Sequence, residues 1–180
     1  MVIFFGPAGS GKSTQGEIIA EKYGCVWLSV GALLRERAVS DPEMAKTLEQ
    51  GILIDNETVV KIMSDAIAAT DGKMVILDGY PRDVWQAEWL LKNGTLGAIE
   101  GAIVLDGGRE ELKERLLLRA RDDDNDEAIV RRFAKFDEMM GRILPVLRDG
   151  GVKVVSIDCI GTVEQVTKRI ERQLTLWGID

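Results

Sequence analysis

Lys12 and Ser13 end the run Gly6-Pro-Ala-Gly9-Ser10-Gly11-Lys12-Ser13, which fits the pattern G-x-x-x-x-G-K-S/T. Each residue type in that run has a use on a polyphosphate. Glycines let successive backbone N–H groups converge on phosphate oxygens. A helix that starts at the loop exit adds partial positive charge. Lysine reaches the β- and γ-phosphates, and the serine hydroxyl can ligate Mg²⁺. A turn that only reverses the chain has no need of Lys-Ser at its exit. The context agrees: Met1 to Phe5 reads as a strand leading in, and a helical pattern with Ile18, Ile19 and Tyr23 leads out. A second constellation is Asp78-Gly79-Tyr80-Pro81-Arg82, after the apolar run Val75-Ile-Leu. An acid at a strand end can hold Mg²⁺ through water. Arg82 projects from a fixed turn, and Gln86 shares its face if a helix starts at Asp83.

The elements around these residues alternate. Residues 2–5, 26–28, 74–77, 102–105 and 152–157 read as strands, nearly continuous in Val, Ile and Phe as strands buried on both faces are. Helical patterns lie between them, so parallel β-α-β units are the economical topology. Residues 30–69 interrupt that rhythm with helical patterns near 31–39, 42–50 and 56–69. Asp41-Pro42 starts one of them with a cap and an N1 proline, and Thr162 to Gln165 has capping-box form. Residues 127–147 carry the cleanest stripe: Ile129, Phe133, Phe136, Met140, Ile143 and Leu147. These read as core, with Gly141 and Pro145 expected to bend or end the helix.

Composition removes several chemistries. The chain of 180 residues fits one domain, and the balance of 23 basic to 30 acidic residues gives a net charge of −7. That argues against nucleic-acid and anionic-membrane partners, while a local arginine cluster still permits a small polyanion. Histidine is absent, which excludes histidine-based triads and histidine-ligated metals. Cys25 and Cys159 form neither a disulfide framework nor a metal-ligand spacing, so a reduced cytoplasmic chain is the simplest reading. Apolar runs reach only about five residues, far short of the roughly 20 that span a bilayer, and no signal peptide is expected.

Five segments together resemble the nucleoside monophosphate kinases, and among them the adenylate kinases, over nearly the whole chain. They are Gly6 to Gln15; Leu28-Ser-Val-Gly-Ala-Leu-Leu-Arg35; Gly51-Ile-Leu-Ile-Asp-Asn-Glu57; Asp78 to Arg82 with Gln86; and Arg121 to Glu127 with Arg131-Arg132. The resemblance implies a three-layer α/β/α doubly wound fold of the P-loop NTPase type. Its five-stranded parallel sheet would have the order 2-3-1-4-5, with a helical monophosphate-binding flap at 30–69. It implies transfer of phosphoryl from Mg-ATP to AMP by a monomer. By resemblance, Gly9, Ser10, Gly11, Lys12, Ser13 and Thr14 wrap the ATP phosphates, with Arg115, Arg119 and the Gly161 backbone on the same side. Ser29, Val30, Gly31, Arg35, Ile52, Leu53, Ile54, Gly79, Arg82, Gln86, Arg121 and Arg132 hold AMP. Lys12, Arg82, Arg119, Arg121 and Arg132 surround the transferred group, and Ser13 and Asp78 hold Mg²⁺.

The pattern departs in three places. Only Ala120 separates Arg119 from Arg121, so the lid that relatives carry there shrinks to a vestige at 119–125, with no place for the zinc some of them bind. Asp122 to Asp124 is either a solvated acidic turn or a group that orients the neighbouring arginines. Val30 replaces the usual Thr and cannot hydrogen-bond to a base, which leaves a CMP/UMP or broad-range kinase as the alternative acceptor class. Ser13-Thr14 stands where Gly-Thr is more usual. A sugar-acid kinase would not need the Gly51–Glu57 segment, and a low-turnover adenylate-binding regulator would not need the full set of Lys12, Arg82 and Arg132.

Overall fold

Val2, Ile3, Phe4 and Phe5 form β1 and are all buried, and their side chains divide between two apolar clusters. Ile3 and Phe5 join one cluster, while Val2 and Phe4 join the other. The alternation follows from the strand period of two, and a sheet with a core on each face needs both kinds of residue apolar. The computed structural model describes residues 1–50, 52, 54–93, 97–119 and 125–179.

Five strands, β1 (Val2–Phe5), β2 (Val26–Ser29), β3 (Val75–Asp78), β4 (Gly101–Asp106) and β5 (Val154–Asp158), make one parallel sheet in the order β2-β3-β1-β4-β5. This is the order that the resemblance implies. The strands run one or two residues later than expected at several ends, so β3 includes Asp78 and β5 begins at Val154 rather than at 152.

One face carries α1 (Lys12–Tyr23), α6 (Arg109–Arg119) and α8 (Val163–Leu176), through Ile19, Leu112, Leu116, Val166, Ile170 and Leu174. The other carries α2 (Val30–Ala38), α3 (Pro42–Glu49), α4 (Asn56–Ala68) and α5 (Val84–Lys92), through Leu34, Met44, Met63 and Leu90. Asp41, Asp55, Asp83 and Thr162 cap α3, α4, α5 and α8 through their side chains, each satisfying one orphan N–H.

Helix α7 runs unbroken from Asp126 to Asp149. It passes through Gly141 and Pro145 without ending. The carbonyl that Pro145 cannot pair belongs to residue 141, where an exposed glycine leaves it open to water. Its apolar stripe also does not serve one core. Ile129 and Phe133 pack into the α1/α6/α8 cluster, whereas Met140, Ile143 and Leu147 pack into the other. Phe136, between them, is only half-buried.

Candidate functional site

The carboxyl ends of β1 and β3 meet at the site. Phe4 and Ser29 both lie opposite Asp78 in the parallel ladders. Beyond β1 the loop Gly6–Gly11 turns into α1. Gly9 and Gly11 adopt φ of 82° and 76°, a region that L side chains rarely enter. Gly11 caps α1 without a side chain, so the first-turn N–H groups are left to an anion. A Cβ on Gly9 would lie 2.8 Å from the Leu112 carbonyl oxygen, so the loop is seated directly on α6. Ser10 Oγ is buried with no hydrogen-bond partner. Pro7 to Thr14, with Arg115, Leu116 and Arg119, line a cavity of about 390 Å³. All six loop residues expected to wrap phosphates therefore stand in one wall.

Lys12 Nζ lies 2.7 Å from Oδ1 of Asp78, which is buried. The contact is one of charge: the same Oδ1 has no aligned hydrogen-bond donor. A buried carboxylate beside a phosphate loop, with one oxygen lacking an aligned donor, fits a hydrated cation once the lysine turns to phosphate, with Ser13 in the adjoining cavity wall.

On the other side of Lys12, Arg82 folds over Gly79. Its Nε donates to the Gly79 carbonyl at 2.8 Å, and a Cβ on Gly79 would sit 3.0 Å from its Nη2. Arg35 folds back over Gly31 in the same way, with Nη1 3.2 Å from where a Cβ would be. Both residues keep part of their surface exposed, and Arg82 lines the cleft it shares with Arg132. Crowding by the surrounding protein lowers the Arg82 pKa, Asp78 opposes that, and the neighbouring Arg35 charge lowers it further. Arginine stays charged regardless. Two like charges held close together attract a dianion. Val30 starts α2, is buried, and presents a methyl group toward Gly79. Ile52 is exposed and its N–H donates to the Thr47 carbonyl. Ile54 is half-buried. Gln86 is only 4% exposed; its Oε1 accepts from the Arg82 N–H at 2.7 Å and its Nε2 donates to Asn56 Oδ1 at 2.8 Å.

Arg115 lines the loop cavity, yet its guanidinium donates to the carbonyls of Cys159 and Gly161, at 3.0 and 3.3 Å. It ties α6 to the β5–α8 junction. Gly161 is exposed there with φ of 122°, just before the Thr162 cap. Arg169 braces the same junction through the carbonyls of Asp158 and Ile160. Burial raises the thiol pKa of both Cys25 and Cys159, which keeps them protonated at neutral pH.

Arg132 projects from α7 into a second cleft of about 610 Å³, shared with Lys12, Arg82, Gly79 and Pro7. Lys135, Phe136, Met139 and Arg142 line it too, and none of them was expected at the site. The signal was present: positions 3, 4, 7 and 10 after Arg132 share its helix face. Gln15, quoted only as part of a motif, is a buried cross-tie whose amide pairs with the Val163 carbonyl and the Thr167 hydroxyl. Gly51, Leu53, Arg121 and the acidic run 122–124 lie outside the described residues.

Comparison with known proteins agrees with this geometry. A family model described as adenylate kinase matches residues 4–151. A curated adenylate kinase of Synechococcus sp. (strain WH7803) is 34% identical over 179 residues, covering 96% of this chain and 97% of the relative. Those of Flavobacterium johnsoniae and Agrobacterium fabrum are 34% and 35% identical, over 94% and 96% of this chain and 95% and 96% of their own lengths.

Proposed function

The chain belongs to the adenylate kinase family, and from that premise we propose that its reaction runs across Lys12, a charged side chain that lines both cavities. ATP donates its terminal phosphoryl group to AMP, giving two ADP. The observation that carries the site assignment is that the phosphate-loop cavity and the Arg82–Arg132 cleft share Pro7, Ala8 and Lys12. Two phosphate sites that meet at one lysine can align a donor and an acceptor for in-line transfer.

The loop from Gly9 to Thr14 holds the ATP phosphates through backbone N–H groups and the α1 N-terminus. Lys12 leaves Asp78 for the β- and γ-oxygens. Arg35 and Arg82 grip the AMP phosphate, and Arg132, with Arg119, neutralises charge spread over the transferring group. Arg121 joins them by resemblance. Arg115 acts on the ATP side by holding the Cys159–Gly161 segment, against which the donor adenine lies. Ser13, and Asp78 through water, would hold Mg²⁺, which when bound would offset phosphate negative charge. The helices α2 to α4 carry Arg35, Val30 and Asn56 and act as the acceptor flap. No group here needs to move a proton at an unusual pKa, which suits a chain without histidine.

The test is ADP formation from Mg-ATP with AMP, CMP, UMP and GMP offered separately, against a control without acceptor. AMP is expected to give the fastest turnover. Preference for CMP or UMP would reassign the acceptor and make Val30 a specificity determinant. Turnover independent of any acceptor would overturn the assignment.

A further inference from the structure

The Gln86 side chain is fixed at both ends. The Arg82 backbone N–H can only donate, so the atom facing it at 2.7 Å must be Oε1. The amide nitrogen therefore faces Asn56, and Asn56 must present its oxygen, at 2.8 Å. The bond to Arg82 belongs to the start of α5, where Asp83 caps the Gln86 N–H and Gln86 reaches back to the preceding turn. Capping accounts for Oε1 but not for Nε2. That group crosses to the first residue of α4, which is 30 positions away on the acceptor flap.

We propose that Asn56 is a positioning residue for acceptor recognition: by taking one Nε2 hydrogen, it locks the Gln86 amide in a single orientation toward the AMP base. This rests on the assignment of Gln86 to that base. An amide has two N–H groups and two oxygen lone pairs. With one of each committed to Asn56 and Arg82, one donor and one acceptor remain, in fixed order. Adenine offers the complement, an amino donor beside a ring-nitrogen acceptor; guanine offers two adjacent acceptors, O6 and N7, on its corresponding edge. The order matters more in this chain because Val30 contributes no polar atom. Among the described residues assigned to AMP on the flap side, Ser29, Val30, Gly31, Arg35, Ile52 and Ile54, only Ser29 and Arg35 have a polar side chain, and Arg35 is assigned to the phosphate. Burial of Gln86 sharpens the effect, since a misoriented dry amide leaves its partners unmet.

The experiment is steady-state kinetics on Asn56→Ala, Asn56→Asp, Gln86→Ala and the double variant Asn56→Ala/Gln86→Ala. Acceptors are AMP and GMP, and thermal melts confirm folding. Asn56→Ala is expected to raise the KM for AMP about 5- to 10-fold, the scale of one net hydrogen bond. kcat and the KM for ATP should hold, and the AMP-over-GMP preference should fall by a similar factor. Asn56→Asp keeps an acceptor oxygen and should restore the KM to near wild type. In the Gln86→Ala background, Asn56→Ala should cost nothing more. An equal further loss there would place its effect in α4 itself and overturn the proposal. So would an unchanged KM in Asn56→Ala when Gln86→Ala raises it. If Gln86→Ala leaves the KM for AMP unchanged, the base assignment itself fails and takes this inference with it.

Discussion

Lys12 and Asp78 hold each other across the carboxyl ends of β1 and β3, at 2.7 Å, where ATP would otherwise take the lysine. The pair keeps a buried carboxylate compensated. Breaking it from one side leaves that charge alone. Lys12→Ala should therefore lower stability by about 1–3 kcal/mol, the cost of an unmet buried polar group, as read from urea unfolding without nucleotide. The figure stays at that level because the lysine is one-fifth exposed. Adding Asp78→Asn should return part of the loss. Turnover should fall about 10²–10³-fold in Lys12→Ala, since a preorganised donor to the transferring phosphate is gone, and Asp78→Asn should not restore it.

Arg35 and Arg82 come from different elements, α2 and the turn before α5, yet lie close enough for the Arg35 charge and that of Asp78 to be felt at Arg82. Each sits over a glycine that leaves room for its guanidinium. Arg35→Ala should raise the KM for AMP about 10- to 100-fold, the range of charge-assisted hydrogen bonds, while the KM for ATP changes little. Arg82→Lys should recover less than half of the catalytic efficiency that Arg82→Ala loses. A lysine keeps the charge but not the planar fork, nor the Nε bond to the Gly79 carbonyl. Equal losses for AMP and ATP would contradict the assignment of these arginines to the acceptor.

The sheet was readable because its strands are buried on both faces and nearly pure in apolar residues, and the phosphate loop because glycines and Lys-Ser have few other uses in that spacing. The α7 stripe shows the limit. Periodicity placed Phe136 on the apolar face, but not that the face passes from one core to the other with Phe136 left at a cleft. Lys135 and Arg142 share Arg132's face, yet spacing alone does not separate a cleft cation from a solvated one. Contacts between distant segments were out of reach for the same reason. Gln15 pairs with Val163 and Arg115 with Cys159, and no local pattern announces either partner.

Gly16 meets Trp27 where α1 crosses β2. A Cβ on Gly16 would fall 1.9 Å from the Trp27 ring, which itself packs edge-on against Phe4 at 5.9 Å. Gly16→Ala gains helix propensity but forces the ring or the helix aside. The overpacking should win, with a net loss of about 1–3 kcal/mol in denaturant unfolding. Because α1 begins with Lys12, a shifted helix should also raise the KM for ATP. A more stable variant would show that the indole relocates at little cost.

Asp55 caps α4 by accepting from the Thr58 N–H at 2.9 Å, and that bond holds its carboxyl below the ordinary value of 3.8. A depressed folded pKa means that the unfolded chain binds the proton more readily, so the contribution is fully present above 3.8 and fades as pH falls through the folded value. Asp55→Asn keeps a capping oxygen but cannot titrate. The melting temperature of the wild type relative to Asp55→Asn should therefore be constant from pH 7 down to about pH 5 and drop only below that, where the aspartate protonates. Asp55→Ala loses the cap as well, so it should melt below Asp55→Asn at every pH. The same cap fixes the first turn of α4, which presents Asn56 to Gln86. Asp55→Ala should accordingly raise the KM for AMP more than Asp55→Asn does, and equal values would separate the cap from acceptor recognition.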